Sequence, residues 1–375
     1  MHKQPGWPLL GGLDIATFAR RHWQRRPLLV RQAMPGVVAP LSRADLFALA
    51  ARDDVESRLV VRQDQQWSVR TGPLPRRALP PLAQSGWTLL VQGLDQHVQA
   101  AHDLLRRFDF LPQARVDDLM LSFATQGGGV GPHWDAYDVF LLQVQGRRRW
   151  RVGPVRDRAL QPGQPLRLLQ HMQVDQEWVL EPGDMLYLPP LWAHDGVAEE
   201  GACMTASIGL RSPHRDELAR ALLARLADEG TDAGPIFRDA GTVAMDGGAV
   251  IPSDLQSFAL KAATHALQRP GALERALGEW LSEPKPQVWF DAGAGPLPGA
   301  DATLVLDRRT RMLHDDRHVY INGEAHRVAA ADHRLLSMLA DGRKLMPQWR
   351  GRLSPAAAVL IQDWWDAGWI RTDDR

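Results

Sequence analysis

A single cysteine in 375 residues excludes an internal disulfide framework and a thiolate cluster for zinc, so Cys203 is expected to be a small buried apolar residue. Long apolar runs are also missing: no stretch of about 18 such residues occurs that would cross a bilayer as a helix. Residues 1–23 mix charges into their apolar stretch and lack the uninterrupted core of a signal peptide. A soluble, cytoplasmic protein with no membrane partner is therefore expected. Net charge is absent as well, 44 Lys and Arg against 44 Asp and Glu, and no basic tail or half offers a general clamp for nucleic acid. What is present is the composition of a globular chain, 45% hydrophobic and 23% charged, at a length that suits two or three domains.

Along the chain, residues 14–23 and 42–51 have helical apolar spacing after plausible caps, whereas 59–69 and 87–92 read as strands. From Val116 to Leu210 strand follows strand with Gly and Pro punctuation, at 118–124, 137–144, 149–152, 177–180, 185–188 and 204–210. That density of short strands favours a barrel or sandwich. At Ser212-Pro213 the pattern switches to amphipathic helices at 216–227, 254–267 and 272–281. Residues 285–298, rich in Pro and Gly, form the best linker. The last part combines short strands (303–306, 319–321) with helices (333–339, 355–367), a small α+β module.

Three His-x-Asp triplets compete as metal ligands: His133-Trp134-Asp135, His214-Arg215-Asp216 and His314-Asp315-Asp316. His214 and Asp216 open a helix, where positions two apart diverge, and His314 lies in a charged hairpin-like segment. His133 and Asp135 are expected to begin a strand, where such positions share a face. A third ligand from another strand is His194, expected at the Pro-rich corner that follows Glu181-Pro182-Gly183-Asp184 and Met185-Leu186-Tyr187-Leu188-Pro189-Pro190. Two histidines and one carboxylate form the facial triad of non-haem Fe(II) oxygenases, and this donor set suits Fe(II) or Mn(II) better than zinc. Trp134 should point away from the ligands. The glycines of 127–131 let the backbone turn tightly into the metal segment, since no Lys-Ser/Thr follows to make a phosphate loop.

Asp117-Asp118-Leu119-Met120-Leu121-Ser122-Phe123, Gly127-Gly128-Gly129-Val130-Gly131-Pro132-His133-Trp134-Asp135, Tyr137-Asp138-Val139-Phe140 and Gly146-Arg147-Arg148-Arg149-Trp150-Arg151-Val152-Gly153 resemble the bacterial JmjC-type ribosomal oxygenases. His22-Trp23-Gln24-Arg25-Arg26-Pro27 and Asp54-Val55-Glu56-Ser57-Arg58-Leu59-Val60 extend the resemblance towards the amino terminus. Beyond residue 211 the match is one of architecture. The resemblance implies an α+β chain: a double-stranded β-helix (jelly-roll, cupin) catalytic domain over 1–211, a helical dimerisation region over 212–285 and a winged-helix module over 286–375. It further implies a homodimer. The activity implied is Fe(II)- and 2-oxoglutarate-dependent use of O2 to hydroxylate the β-carbon of an arginine in the sixteenth large-subunit ribosomal protein.

Such an enzyme needs a fixed cation for the far carboxylate of 2-oxoglutarate. Strand alternation puts Arg148 on the apolar, inward face of Trp150 and Val152, and the family's cationic ligand occupies the same place. Arg147, Arg149 and Arg151 should point outward as a solvated basic edge. Asp118, Met120 and Ser122 share another strand face. Ser122 is placed to reach the co-substrate, with Ser207 as a second co-substrate or substrate contact. Asp118, walled by Met120 and Tyr137, matches the family's pocket for the target guanidinium. His171 and His265 read as structural.

Two other classes compete with this assignment. A nucleic-acid-binding regulator with a cupin-like ligand sensor is disfavoured because residues 286–375 carry no net charge, so direct DNA binding is not expected. A cupin-type sugar isomerase is disfavoured by Asp135 and Arg148. Within the oxygenase class, a histidine or lysine target remains an alternative to arginine.

Overall fold

Asp14 and Ser42 start the first two helices: each side chain accepts the N–H three residues on, which fixes α1 (Ile15–Arg21) and α2 (Arg43–Leu49) around β1 (Leu28–Val30). The computed structural model describes residues 7–64, 66–228, 234–238, 249–293 and 295–373. It falls into two units, Met1–Ser212 and Pro213–Arg375.

The stretch 59–69, expected as one strand, is a hairpin of β2 (Ser57–Gln63) and β3 (Gln66–Thr71). Both arms favour extended backbone, and the turn at Asp64 (φ 47°) interrupts them. There follow β4 (Trp87–Val91), α3 (Leu94–His97), α4 (Gln99–Leu105), β5 (Val116–Ala124), β6 (Asp138–Gln145), β7 (Arg148–Pro154), β8 (Gln176–Leu180), β9 (Met185–Leu188), β10 (Trp192–Ala198) and β11 (Cys203–Leu210). Among the described residues these strands make one sheet in the order β1-β9-β6-β11-β5-β4-β2-β3 and a smaller one in the order β10-β7-β8.

Alternation along β5 decides which residues can line a site. Leu119, Leu121 and Phe123 enter an apolar core with Phe18, Leu46, Phe47, Trp87 and Phe108. Asp118, Met120 and Ser122 take the other face, directly opposite Gly209, Ser207 and Thr205 of β11. Each large side chain so buried contributes roughly 1.5–3 kcal/mol. A one-residue slip would turn the whole set to the wrong face, so the register is strongly specified. Between the two sheets Val139, Leu141, Trp150, Val152, Leu180, Leu186 and Leu188 close the barrel.

The amino-terminal segment is tied to this barrel by polar groups. Fully buried Asp138 accepts from Tyr187 Oη (2.6 Å), Gln24 Nε2 (3.0 Å) and Arg115 (3.2 Å). Asp184 accepts from the main-chain N–H of Gln32 (2.9 Å) and Glu181 (3.1 Å) and from Arg31 (2.6 Å). Burial pushes the Asp184 carboxyl up, but these donors outweigh it and hold the carboxyl below its ordinary range.

In the second unit α5 (Arg215–Asp228), α6 (Ser253–Gln268) and α7 (Ala272–Ser282) precede β12 (Leu304–Leu306), β13 (Met312–His314), β14 (Val319–Ile321) and β15 (Glu324–His326). After them come α8 (Ala330–Gly342), β16 (Lys344–Leu345), α9 (Pro347–Arg350), α10 (Pro355–Asp366) and β17 (Ile370–Thr372). Two small sheets, β16-β12-β17 and β13-β14-β15, share a core with α8 and α10 built on Leu306, Ile321, Leu336, Ile361 and Trp364. The Tyr320 ring lies so close under Gly278 of α7 that a Cβ there would overlap it. Among the described residues no helix is long and apolar enough to cross a membrane.

Candidate metal centre and active site

His133, Asp135 and His194 come together: one ligand atom from each lies within 4.8 Å of the others, and among the described residues no other His, Cys or carboxylate group does this. The local structure differs from expectation in two places. His133 and Asp135 precede β6 rather than beginning it, in an extended segment that pairs with β10 through His133 N–H to His194 O (3.0 Å) and His194 N–H to His133 O (2.8 Å). His194 lies inside β10 rather than at a corner, because Pro189-Pro190 ends β9 and Leu191 (φ 63°) turns the chain into a further strand. Among the described residues the other two triplets gather no third ligand. His314 Nε2 instead meets Asp341 at 3.2 Å, and His214 lies just ahead of α5.

Both imidazoles are oriented by the main chain. His133 Nδ1 meets Gly131 O at 2.9 Å and His194 Nδ1 meets Trp192 O at 3.0 Å. A carbonyl only accepts, so each Nδ1 carries the proton and each Nε2 offers a lone pair. Those Nε2 atoms lie 3.5 Å (His194) and 4.0 Å (His133) from Asp135 Oδ2. Around a divalent ion with bonds of about 2.1 Å, adjacent donors stand about 3 Å apart, so the group closes on an ion with small shifts. Burial first, and then His133 opposite, lower the His194 pKa to about 4. Above that pH its imidazole is neutral and ready to ligate.

Arg148 is inward and 5% exposed, its guanidinium carbon 5.6 Å from the Trp150 ring centroid. Its Nε and Nη2 are buried without a hydrogen-bond partner. Leaving charged donors unmatched in a barrel interior is costly. The His/Asp/His donor set would hold Fe(II) and the buried fork would receive a carboxylate, so the residues present fit Fe(II) and 2-oxoglutarate. The outward arginines are solvated as expected, but acids neutralise the edge. Arg149 pairs with Glu177 and Glu199, Arg151 with Asp195, and Arg147 lies 3.5–3.8 Å from Glu181, Glu199 and Glu200. Each finds its acid on an adjoining strand or turn, far apart in sequence.

On the facing sheet Asp118 is buried and Oδ2 accepts the N–H of Gly93 at 2.9 Å, while Asp95 accepts the N–H of Leu119 at 2.8 Å. This reciprocal pair orients the Asp118 carboxylate, and a lone Asp in a four-residue helix gave no sequence signal for it. Met120 is half-buried beside it. Tyr137, 42% exposed, has its hydroxyl pKa raised by burial and then by the Asp135 and Asp118 carboxylates. Ser122 and Ser207 are buried on the same face, and Ser122 Oγ donates to Thr205 O at 3.3 Å. Trp134 is half-buried with the Arg158 guanidinium over its ring. Cys203 is buried, and His171 and His265 are exposed.

A cupin-type barrel with a His-x-Asp segment bridged to a histidine strand, and an unmatched buried arginine on the next strand, has the make-up of a non-haem Fe(II) oxygenase. The JmjC domain family matches residues 103–218, and the ROXA-like winged helix family matches 263–371. The chain belongs to the bacterial JmjC ribosomal oxygenases. The ribosomal protein uL16 3-hydroxylase of Escherichia coli (strain K12) is 42% identical over 217 residues, which make up 55% of this chain and 55% of that protein. The chain thus spans about half the length of the curated relatives it matches. The crystal structure of E. coli YcfD is 30% identical with a TM-score of 0.85, covering 100% of both chains. A second YcfD structure, in complex with cobalt and 2-oxoglutarate, has a TM-score of 0.82 at 30% identity and covers 96% of this chain and 98% of that one.

Proposed function

We propose that the protein is an Fe(II)- and 2-oxoglutarate-dependent dioxygenase that hydroxylates the β-carbon of an arginine in the large-subunit ribosomal protein uL16. The observation that carries this reading is the pairing of the His133/Asp135/His194 set with the unmatched guanidinium of Arg148 in one barrel. His133, Asp135 and His194 hold the metal, and Arg148 fixes the far carboxylate of the co-substrate, helped by Ser122 or Ser207. When bound, ferrous iron supplies the redox chemistry that couples 2-oxoglutarate and O2 to succinate, CO2 and a hydroxylated C–H bond. The chain's own task is positioning. Asp118, held by Gly93, receives the target guanidinium. Met120 and Tyr137 wall its methylenes, and the β-carbon is the carbon taken to face the metal on this reading. An acid at this place favours a cationic target and suits arginine or lysine alike.

The α6 helix buries none of its residues and exposes Leu255, Leu260 and Leu267, which supports a homodimer formed through a helical region over 212–285, between a catalytic domain of 1–211 and a winged-helix module of 286–375. We place the enzyme in the cytoplasm with its substrate. The test is incubation with Fe(II), 2-oxoglutarate and ribosomal proteins, followed by mass spectrometry. One added oxygen on a single uL16 arginine is expected. An unmodified uL16 beside an oxidised lysine or histidine of another protein would redirect the assignment.

A further inference from the structure

We propose that Trp67 and Leu168 are positioning residues of the metal centre, acting through Gly131. His133 turns Nε2 to the ion only while its Nδ1 stays bonded to Gly131 O (2.9 Å), so the place of that carbonyl sets the ring. Gly131 sits at φ 77°, and two side chains crowd the side of it that a Cβ would occupy. A Cβ there would lie 2.7 Å from Leu168 Cδ2 and 2.9 Å from Trp67 Cζ2, so both side chains pack directly over the bare Cα of the turn. This inference rests on reading His133 as a metal ligand.

The two side chains come from parts of the chain outside the metal motif. Trp67 is delivered by the edge strand β3, its ring 5.5 Å from the Arg62 guanidinium carbon. Leu168 is delivered by the excursion between β7 and β8, where it is 1% exposed. That excursion is braced by Gln161 N–H to Leu168 O (2.8 Å) and Gln161 Nε2 to Leu169 O (2.9 Å). It is stitched to the same turn by Leu169 N–H to Pro132 O (2.8 Å). Neither is a catalytic residue, since neither supplies a ligand atom. Trp67 also lies outside the matched JmjC segment, which begins at 103. A metal-competent barrel therefore needs the β2–β3 hairpin.

The experiment titrates the metal-free full chain with Co(II), read by visible absorption, beside its melting temperature. Trp67→Ala and Leu168→Ala are expected to weaken Co(II) binding about 10-fold and to shift its absorption band. Leu168→Met, which still reaches Gly131, should restore both, and Leu168→Val serves if the alanine variant folds poorly. Val61→Ala, which trims the core on the other face of β2, should lower the melting temperature and leave Co(II) binding as it is. The proposal is overturned if Trp67→Ala and Leu168→Ala behave like Val61→Ala. His133→Ala separates the two levels: if it leaves Co(II) affinity unchanged, the ligand assignment itself is wrong.

Discussion

Replacing Arg148 by Met should move co-substrate binding and stability in opposite directions. The Arg148 guanidinium is 5% exposed, and no protein group matches its Nε and Nη2. Exchanging a buried, incompletely paired ion for an apolar side chain of similar volume is commonly neutral or stabilising by about 1–4 kcal/mol. With 2-oxoglutarate bound, the same fork donates two charge-assisted hydrogen bonds of about 1.5–3 kcal/mol each. Their loss corresponds to roughly 10²–10⁴-fold in affinity. The assay is calorimetric titration of the Mn(II)-loaded protein with 2-oxoglutarate, alongside thermal unfolding of the metal-free protein. Arg148→Met should lose measurable binding while its melting temperature holds or rises by a few degrees. Arg148→Lys keeps the charge without the fork and should recover only part of the affinity. Wild-type affinity in Arg148→Met, or a fall of several degrees in its melting temperature, would refute this reasoning.

Three further outcomes follow from the same structure. The folded-state pKa of His194, about 4, lies below its unfolded value of 6.5, so the neutral ring stabilises the metal-free fold fully above pH 6.5 and less as pH falls towards 4. About 3 kcal/mol should be lost across that window in denaturant titrations, and His194→Gln should flatten the profile; an unchanged profile in the variant contradicts the assignment. Asp118→Ala should raise KM for the protein substrate at least about 10-fold with 2-oxoglutarate affinity unaltered, measured by succinate release against substrate concentration. Gly278→Ala gains helix propensity of about 1 kcal/mol, but its Cβ overlaps the Tyr320 ring, so a net loss of about 1–2 kcal/mol is expected in thermal unfolding. Stabilisation there would show that α7 shifts freely off β14.

The residues show why some features were legible in the sequence. The inward place of Arg148 followed from period-two alternation, a purely local rule, and the structure buries it beside Trp150 and Val152 as that rule requires. The helix caps at Asp14 and Ser42 were equally local. The metal set followed from residue types and their spacing, and the resemblance in the glycine and His-x-Asp motifs gave the fold class. What escaped depends on neighbours distant in sequence. Pairing of Arg149 with Glu177 and Glu199, the convergence of Gln24, Arg115 and Tyr187 on Asp138, and the packing over Gly131 join strands that no local pattern relates. The strand holding His194 was missed because Pro189-Pro190 precedes it, and paired prolines normally signal a loop.

The central claim, that this barrel transfers an oxygen atom from O2 to a ribosomal-protein arginine, is tested most directly by running the reaction under heavy-isotope dioxygen in ordinary water. The account predicts that one heavy oxygen enters uL16 at a single arginine β-carbon, one enters succinate, and both signals vanish in His133→Ala. Ordinary oxygen in the uL16 product, or labelled uL16 produced by His133→Ala, would contradict it.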